Sequence, residues 1–136
     1  GVHLPANGVP ACGVRRIGPR GFLTGRSVHG IVDARQAAAD GGVDYLVFGT
    51  VFASASKPHV EPAGVAALRD AASAVSVPVL AIGGITVEGM GSVAQAGAAG
   101  FAAIGLFADS VREGRERLQT VVSHACLLFD TPRGVP

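Results

Sequence analysis

The chain has 136 residues, 49% of them hydrophobic, and a formal net charge of +1, which fits one domain large enough for a real core. Ten of the eleven basic residues are arginine and the acidic residues are spread along the chain, so no nucleic-acid footprint stands out. No apolar run approaches the roughly 20 residues of a bilayer span and no signal-peptide pattern opens the chain, so a cytoplasmic protein without membrane contact is expected.

The basic run Arg112, Arg115 and Arg117, interleaved with Glu113 and Glu116, reads as a solvated helix face. Cys12 and Cys126 stand far apart and outside any metal-ligand spacing, so neither a disulfide scaffold nor zinc is expected, and buried structural thiols are. Abundant Ala and Gly with few aromatic residues suit tightly packed helices on a sheet.

Short apolar runs recur along the chain, without strict alternation. They are GVHL (1–4), FLTGRSV (22–28), DYLVFGT (44–50), VPVLAIGG (77–84) and GFAAIGLF (100–107). Near-continuous apolar strands are those covered on both faces, which points to a parallel sheet.

Between them lie helical patterns. Residues 32–42 carry Ala34, Ala37 and Ala38 on one face and end in a Gly pair. Residues 61–75 place Val65, Ala66, Leu68, Ala72 and Val75 at helical spacing. Residues 86–98 have Thr86 as a candidate N-cap but contain three glycines. The last predicted helix runs from about Val111 to Leu128, with Ser110 and Glu113 at capping-box spacing and a stripe of Leu118, Val121, Val122, Ala125 and Leu128. Repeats of this β-then-α pattern build either an open doubly wound sheet or a (β/α)8 barrel, and the missing GxGxxG weakens a dinucleotide reading.

Active sites of parallel βα proteins gather at the carboxyl ends of the strands. Gly83 and Gly84 lie at such an end, where absent Cβ atoms and free helix N–H groups admit an anion. Gly105, before the last helix, supplies a second half to the cradle. Ser54, Ser56 and Lys57, the only lysine of the chain, follow the third strand and offer hydroxyls and an ammonium to a phosphate or diphosphate; taken alone, the stretch reads slightly better as an ordinary polar loop ending in a proline. In GRSVHG (25–30), Gly25, Ser27 and His29 share one face of an extended strand. An imidazole there suits general acid–base work, although a lone His is more often structural. His3, His59 and His124 are weaker candidates.

Taken together, GVHLP, GRSVH, DYLVFGTVFASASK, VPVLAIGGI and GFAAIGLF, in this order and spacing over about residues 1–110, resemble the thiamine phosphate synthase and TenI superfamily. The resemblance implies a (β/α)8 barrel, with the five strands here matching strands four to eight. One domain spanning residues 1–136 is then expected, the C-terminal portion of a longer protein, with a gene that begins here as the alternative. Five βα units do not close an eight-stranded barrel, so an open sheet should self-associate, pair with the missing segment or be marginally stable.

Two activities are implied. Synthases join a hydroxymethylpyrimidine diphosphate to a thiazole phosphate using magnesium, whereas TenI-type tautomerases aromatise a carboxythiazole phosphate without metal. Where synthases follow GVHL with Gly-Gln and acidic residues, this chain has Pro5, Ala6, Asn7 and Gly8, so the metal ligand has no counterpart. The resemblance makes His29 the acid–base residue of a TenI-like thiazole tautomerase with no cofactor. It sets Gly84 and Gly105 near the substrate phosphate, Ser27 beside it or beside the carboxylate, and Ser54, Ser56 and Lys57 in the loop that handles phosphate and diphosphate. Ile104 and Gly105 replace a serine common in the last strand, which shifts that contact to backbone N–H groups. The alternatives are thiamine phosphate synthase, with magnesium, and a non-catalytic thiazole-phosphate binder.

Overall fold

The computed structural model describes residues 1–130; residues 131–136, which the single-domain expectation includes, lie outside them. Five strands alternate with helices: β1 (Val2–Leu4), α1 (Ala11–Ile17), β2 (Thr24–Val28), α2 (Ile31–Ala39), β3 (Tyr45–Gly49), α3 (Gly64–Ser73), β4 (Val79–Ile82), α4 (Val87–Gln95), β5 (Gly100–Ala102), α5 (Ile104–Glu113) and α6 (Arg115–Phe129). All neighbouring strands are parallel and the sheet order is the chain order. Crossovers between such strands are right-handed, so an unreversed order lays every connecting helix on one face.

That arrangement divides the side chains by parity. The helix-facing residues Val28, Leu46, Phe48, Val79 and Ala81 are at most 2% exposed. They pack with Ala34, Leu68, Ala71, Met90 and Val93 from α2, α3 and α4 into the core, each large side chain contributing about 1.5–3 kcal/mol by burial. The opposite face carries three rows read from the register. His3, Gly25 and Tyr45 form the first; Ser27, Val47, Leu80 and Gly100 the second; Gly49, Ile82 and Ala102 the third. No helix covers this face among the described residues, and Tyr45, Val47, Leu80 and Ile82 are only half-buried.

Several elements depart from the sequence reading. Helix α1 carries no strong apolar stripe, buries only Ala11, and was not among the predicted helices. The run 100–107 is strand only to Ala102, and Ile104 already opens α5. A short continuous apolar run does not distinguish strand from helix, and here Phe107 folds back so that its ring stacks on Phe101 at 5.9 Å. The single helix expected from Val111 is two helices broken at Gly114, whose φ of +117° suits glycine. Ser110 is therefore inside α5, its hydroxyl donating to the Leu106 carbonyl, and is not a cap.

Both cysteines are exposed rather than buried. Cys12 sits on the outer side of α1, and Cys126 lies off the inward stripe of α6 that Val121, Ala125 and Leu128 form. The arginine-rich segment is solvated as expected, with exposed ion pairs Arg112–Asp109 at 2.6 Å and Arg117–Glu113 at 3.3 Å. No helix among the described residues is long and apolar enough to cross a membrane.

Candidate functional site

A cleft of about 860 Å³ opens over the carboxyl ends of the strands. Its lining includes Ser27, His29, Ser54, Ser56, Lys57, Gly83, Gly84 and Gly105. Every site residue expected from the sequence is thus brought to one opening, contributed by four consecutive strand ends.

The β4 end supplies its centre. Gly83 and Gly84 have φ of +102° and +62°, a left-handed pair that L side chains rarely adopt. A Cβ on Gly84 would lie 2.2 Å from the Ala53 carbonyl oxygen, and one on Gly83 2.4 Å from Thr50 Cγ2. The same region is tied to β3 beyond the strand itself: Val51 N–H donates to Ile82 O at 2.9 Å and Phe52 N–H to Gly83 O at 3.0 Å. The segment carrying Ser54, Ser56 and Lys57 is therefore anchored directly on the Gly83–Gly84 turn. Within it the two serine hydroxyls lie 2.9 Å apart, and Lys57 N–H donates to Ser54 O.

Helix α4 follows at once. Thr86 is its N-cap, the hydroxyl accepting from Gly89 N–H at 3.3 Å, as its sequence position predicts. Glu88, also on the cleft, has its carboxyl pulled below the usual range by its own backbone N–H and by the Thr86 hydroxyl. Gly105 lies in the first turn of α5 rather than in a loop before it. That first turn has no side-chain cap and no acidic residue of its own, which leaves its N–H groups and positive dipole end available to an anion, although Asp109 and Glu113 further along α5 also line the cleft.

His29 stands one residue past β2 and is exposed. Its Nδ1 lies 2.6 Å from the Gly49 carbonyl. A carbonyl only accepts, so Nδ1 carries the proton, and in the neutral ring Nε2 keeps a lone pair. The His29 backbone N–H donates to the Asp33 carboxylate from the first turn of α2. Both ends of the residue are thereby fixed, and its free nitrogen can accept a proton from a bound molecule.

One participant was undervalued by the sequence. His3, on the edge strand, also lines the cleft, and its Nε2 is 2.9 Å from Ser27 Oγ. The available signal was Gly25, a glycine inside a strand, which marks a close approach. His59 is exposed in the loop before α3 and His124 lies on α6, and neither lines this cleft.

The loop after β1 is held from behind. Arg26 donates to the carbonyls of Ala6 and Val9. Pro5, Ala6, Asn7 and Gly8 offer no carboxylate, and among the described residues no three His, Cys, Asp or Glu side chains cluster as metal ligands would. Magnesium wants at least one or two carboxylate oxygens. The end of β1 does not fit that ion.

Comparison with known proteins agrees with the parallel α/β fold. A family model described as thiamine monophosphate synthase (TMP-TENI) matches residues 1–107. A thiamine-phosphate synthase of Methanoculleus marisnigri is 48% identical over 105 residues, which are 76% of this chain and 49% of that protein. One from Roseiflexus castenholzii is 47% identical over 106 residues, 76% of this chain and 46% of that protein. The chain therefore spans about half the length of these curated relatives. The solved structure of thiamine phosphate pyrophosphorylase from Pyrococcus furiosus superimposes with a TM-score of 0.71 at 30% identity, covering 92% of this chain and 60% of that one. On the family match across residues 1–107 and the shared parallel α/β fold, the chain belongs to the thiamine monophosphate synthase (TMP-TENI) family.

Proposed function

We propose that this chain forms the thiazole-phosphate side of a thiamine-phosphate synthase site, acting in the cytoplasm on small-molecule substrates. The observation that carries the proposal is that two anion-receiving elements share one cleft. The Gly83–Gly84 turn with the first turn of α5 forms one, and Ser54, Ser56 and Lys57 form the other. A coupling reaction between a thiazole phosphate and a pyrimidine diphosphate brings a phosphate and a diphosphate together, whereas a carboxythiazole phosphate presents one phosphate and a carboxylate, which calls for no ammonium-bearing diphosphate loop. The names of the relatives support the same choice.

In this reading the backbone N–H groups of Gly84 and of the α5 first turn hold the thiazole phosphate. The thiazole nitrogen donates its lone pair to the pyrimidine methylene carbon as the carbon–oxygen bond to diphosphate breaks. Lys57 and the two serine hydroxyls take up the charge that departs with the diphosphate. Ser27 and His29, from the end of β2, line the same cleft on the side of the segment 54–57. The remaining strands of the barrel, and with them the pyrimidine side, are supplied by whatever completes the open face.

A second reading, TenI-like thiazole tautomerase, is favoured by the absence of a carboxylate after β1 and by the fixed His29. There Nε2 of His29 takes the proton from the ring carbon bearing the carboxylate, and a proton is delivered to the exocyclic carbon.

The deciding experiment supplies the protein, expressed from its full reading frame, with pyrimidine diphosphate, thiazole phosphate and magnesium. Thiamine phosphate should form, and Lys57→Met should lower its rate by about tenfold or more while leaving thiazole-phosphate binding intact. No thiamine phosphate, together with aromatisation of the carboxythiazole phosphate that His29→Asn abolishes, would replace the first reading by the second.

A further inference from the structure

His3, Gly25 and Tyr45 are register partners, one on each of three adjacent strands, and share the uncovered face. The middle residue has no side chain, and a Cβ there would fall 2.1 Å from Tyr45 Cζ. Two rings from the outer strands consequently meet over the glycine, with centroids 5.7 Å apart and planes inclined by 25°. A glycine weakens a strand interior; what it permits here is this contact. The stacked His3 ring then reaches one row toward the cleft, to Ser27 Oγ at 2.9 Å. His3 and Ser27 both line the cleft.

We infer that His3 is a positioning residue that keeps Ser27 as a hydrogen-bond donor to an anionic group of the substrate. A serine hydroxyl has one proton and two acceptor lone pairs. If Nε2 of His3 carries a proton, as it does in one neutral tautomer and in the imidazolium, it fills a lone pair of Ser27 Oγ and leaves the hydroxyl proton for the cleft. Only the tautomer with a bare Nε2 would draw that proton away. A phosphate or carboxylate arriving at Ser27 requires a donor, so ligand binding and the protonated Nε2 favour one another. The Tyr45 ring limits the imidazole to the orientation that makes this bond. The inference rests on the proposed thiazole-phosphate site and assigns to it a hydroxyl whose direction is set from the edge strand.

The test is a double-mutant cycle read by direct binding of thiazole phosphate, paired with imidazole nitrogen NMR on the ligand-free protein. Ser27→Ala and His3→Leu should each weaken binding by about tenfold. The double variant should be no worse than Ser27→Ala alone, because the histidine acts through the serine. His3→Gln, which keeps an N–H donor, should recover most of the loss. The NMR spectrum should report a protonated Nε2 on His3 whose shift moves in Ser27→Ala. Additive losses, no rescue by glutamine, or a bare Nε2 would overturn the inference. If the parent protein binds no thiazole phosphate, the functional reading fails, and the NMR arm still decides whether Ser27 is held as a donor.

Discussion

Replacing Gly84 by alanine adds one methyl group at a backbone φ of +62°. The left-handed conformation costs an L residue about 1–2 kcal/mol. The new Cβ would also stand 2.2 Å from Ala53 O and 2.7 Å from Phe52 O, both backbone atoms that cannot swing aside as a side chain would. The loop must retreat by roughly 1 Å to restore contact distance, and overpacking of this kind costs about 1–3 kcal/mol. Together the loss is about 2–5 kcal/mol, a large share of the 5–15 kcal/mol typical of a domain. With a urea slope of about 1–3 kcal/mol/M, the unfolding midpoint should drop by about 1 M or more. Because the displaced loop carries Ser54, Ser56 and Lys57, diphosphate affinity should fall in the same variant. Gly105→Ala is the matched control: no atom lies within 4 Å of its added Cβ, so its unfolding free energy should stay within about 0.5 kcal/mol of the parent's and its midpoint close to it. A Gly84→Ala midpoint as high as that of Gly105→Ala would refute the claim that the Gly83–Gly84 turn anchors the loop.

Ile104→Pro separates the α5 end of the cradle from its helix. Ile104 is the first residue of α5, is 84% exposed and follows an extended Ala103, a position where proline is tolerated and only an N–H is lost. Thiazole-phosphate affinity should fall about tenfold with an unchanged urea midpoint; unchanged affinity would remove that N–H from the site. Asp44 is held below its ordinary value of 3.8 by the Thr24 backbone N–H and then by the Arg15 guanidinium. Its ionised form therefore stabilises the fold above the unfolded-state value, and that contribution disappears as pH falls through the lower folded-state value. Melting temperatures of the parent and Asp44→Asn should differ at pH 7 and converge in acid, and parallel curves between pH 7 and 2 would contradict the assignment.

Much of this was legible in the residues. All five strands fall inside their apolar runs, because a strand buried under helices on one face and facing a barrel interior on the other leaves little room for polar side chains. Thr86 was recognisable as a cap and the glycine pair at 83–84 as a tight turn, since both rest on local backbone chemistry. What local pattern could not resolve was set by distant contacts. Phe107 belongs to a helix because its ring packs on Phe101, and Phe129 from α6 closes on the same ring at 5.3 Å. Cys126 is exposed because of where the stripe of α6 points, which a residue type does not tell. His3 looked idle in a strand of three residues. Its partner on Ser27 lies 24 positions along the chain, and only the parallel register across Gly25 brings them together.

Two anion subsites in one cleft is the central claim, and calorimetric titration with two ligands tests it most directly. With the protein saturated in thiazole phosphate, inorganic diphosphate should still bind at about one equivalent. Lys57→Met should lose the diphosphate isotherm while keeping that of thiazole phosphate. Mutual displacement of the two ligands, with both affinities falling together in Lys57→Met, would contradict the account and leave the cleft with a single anion site.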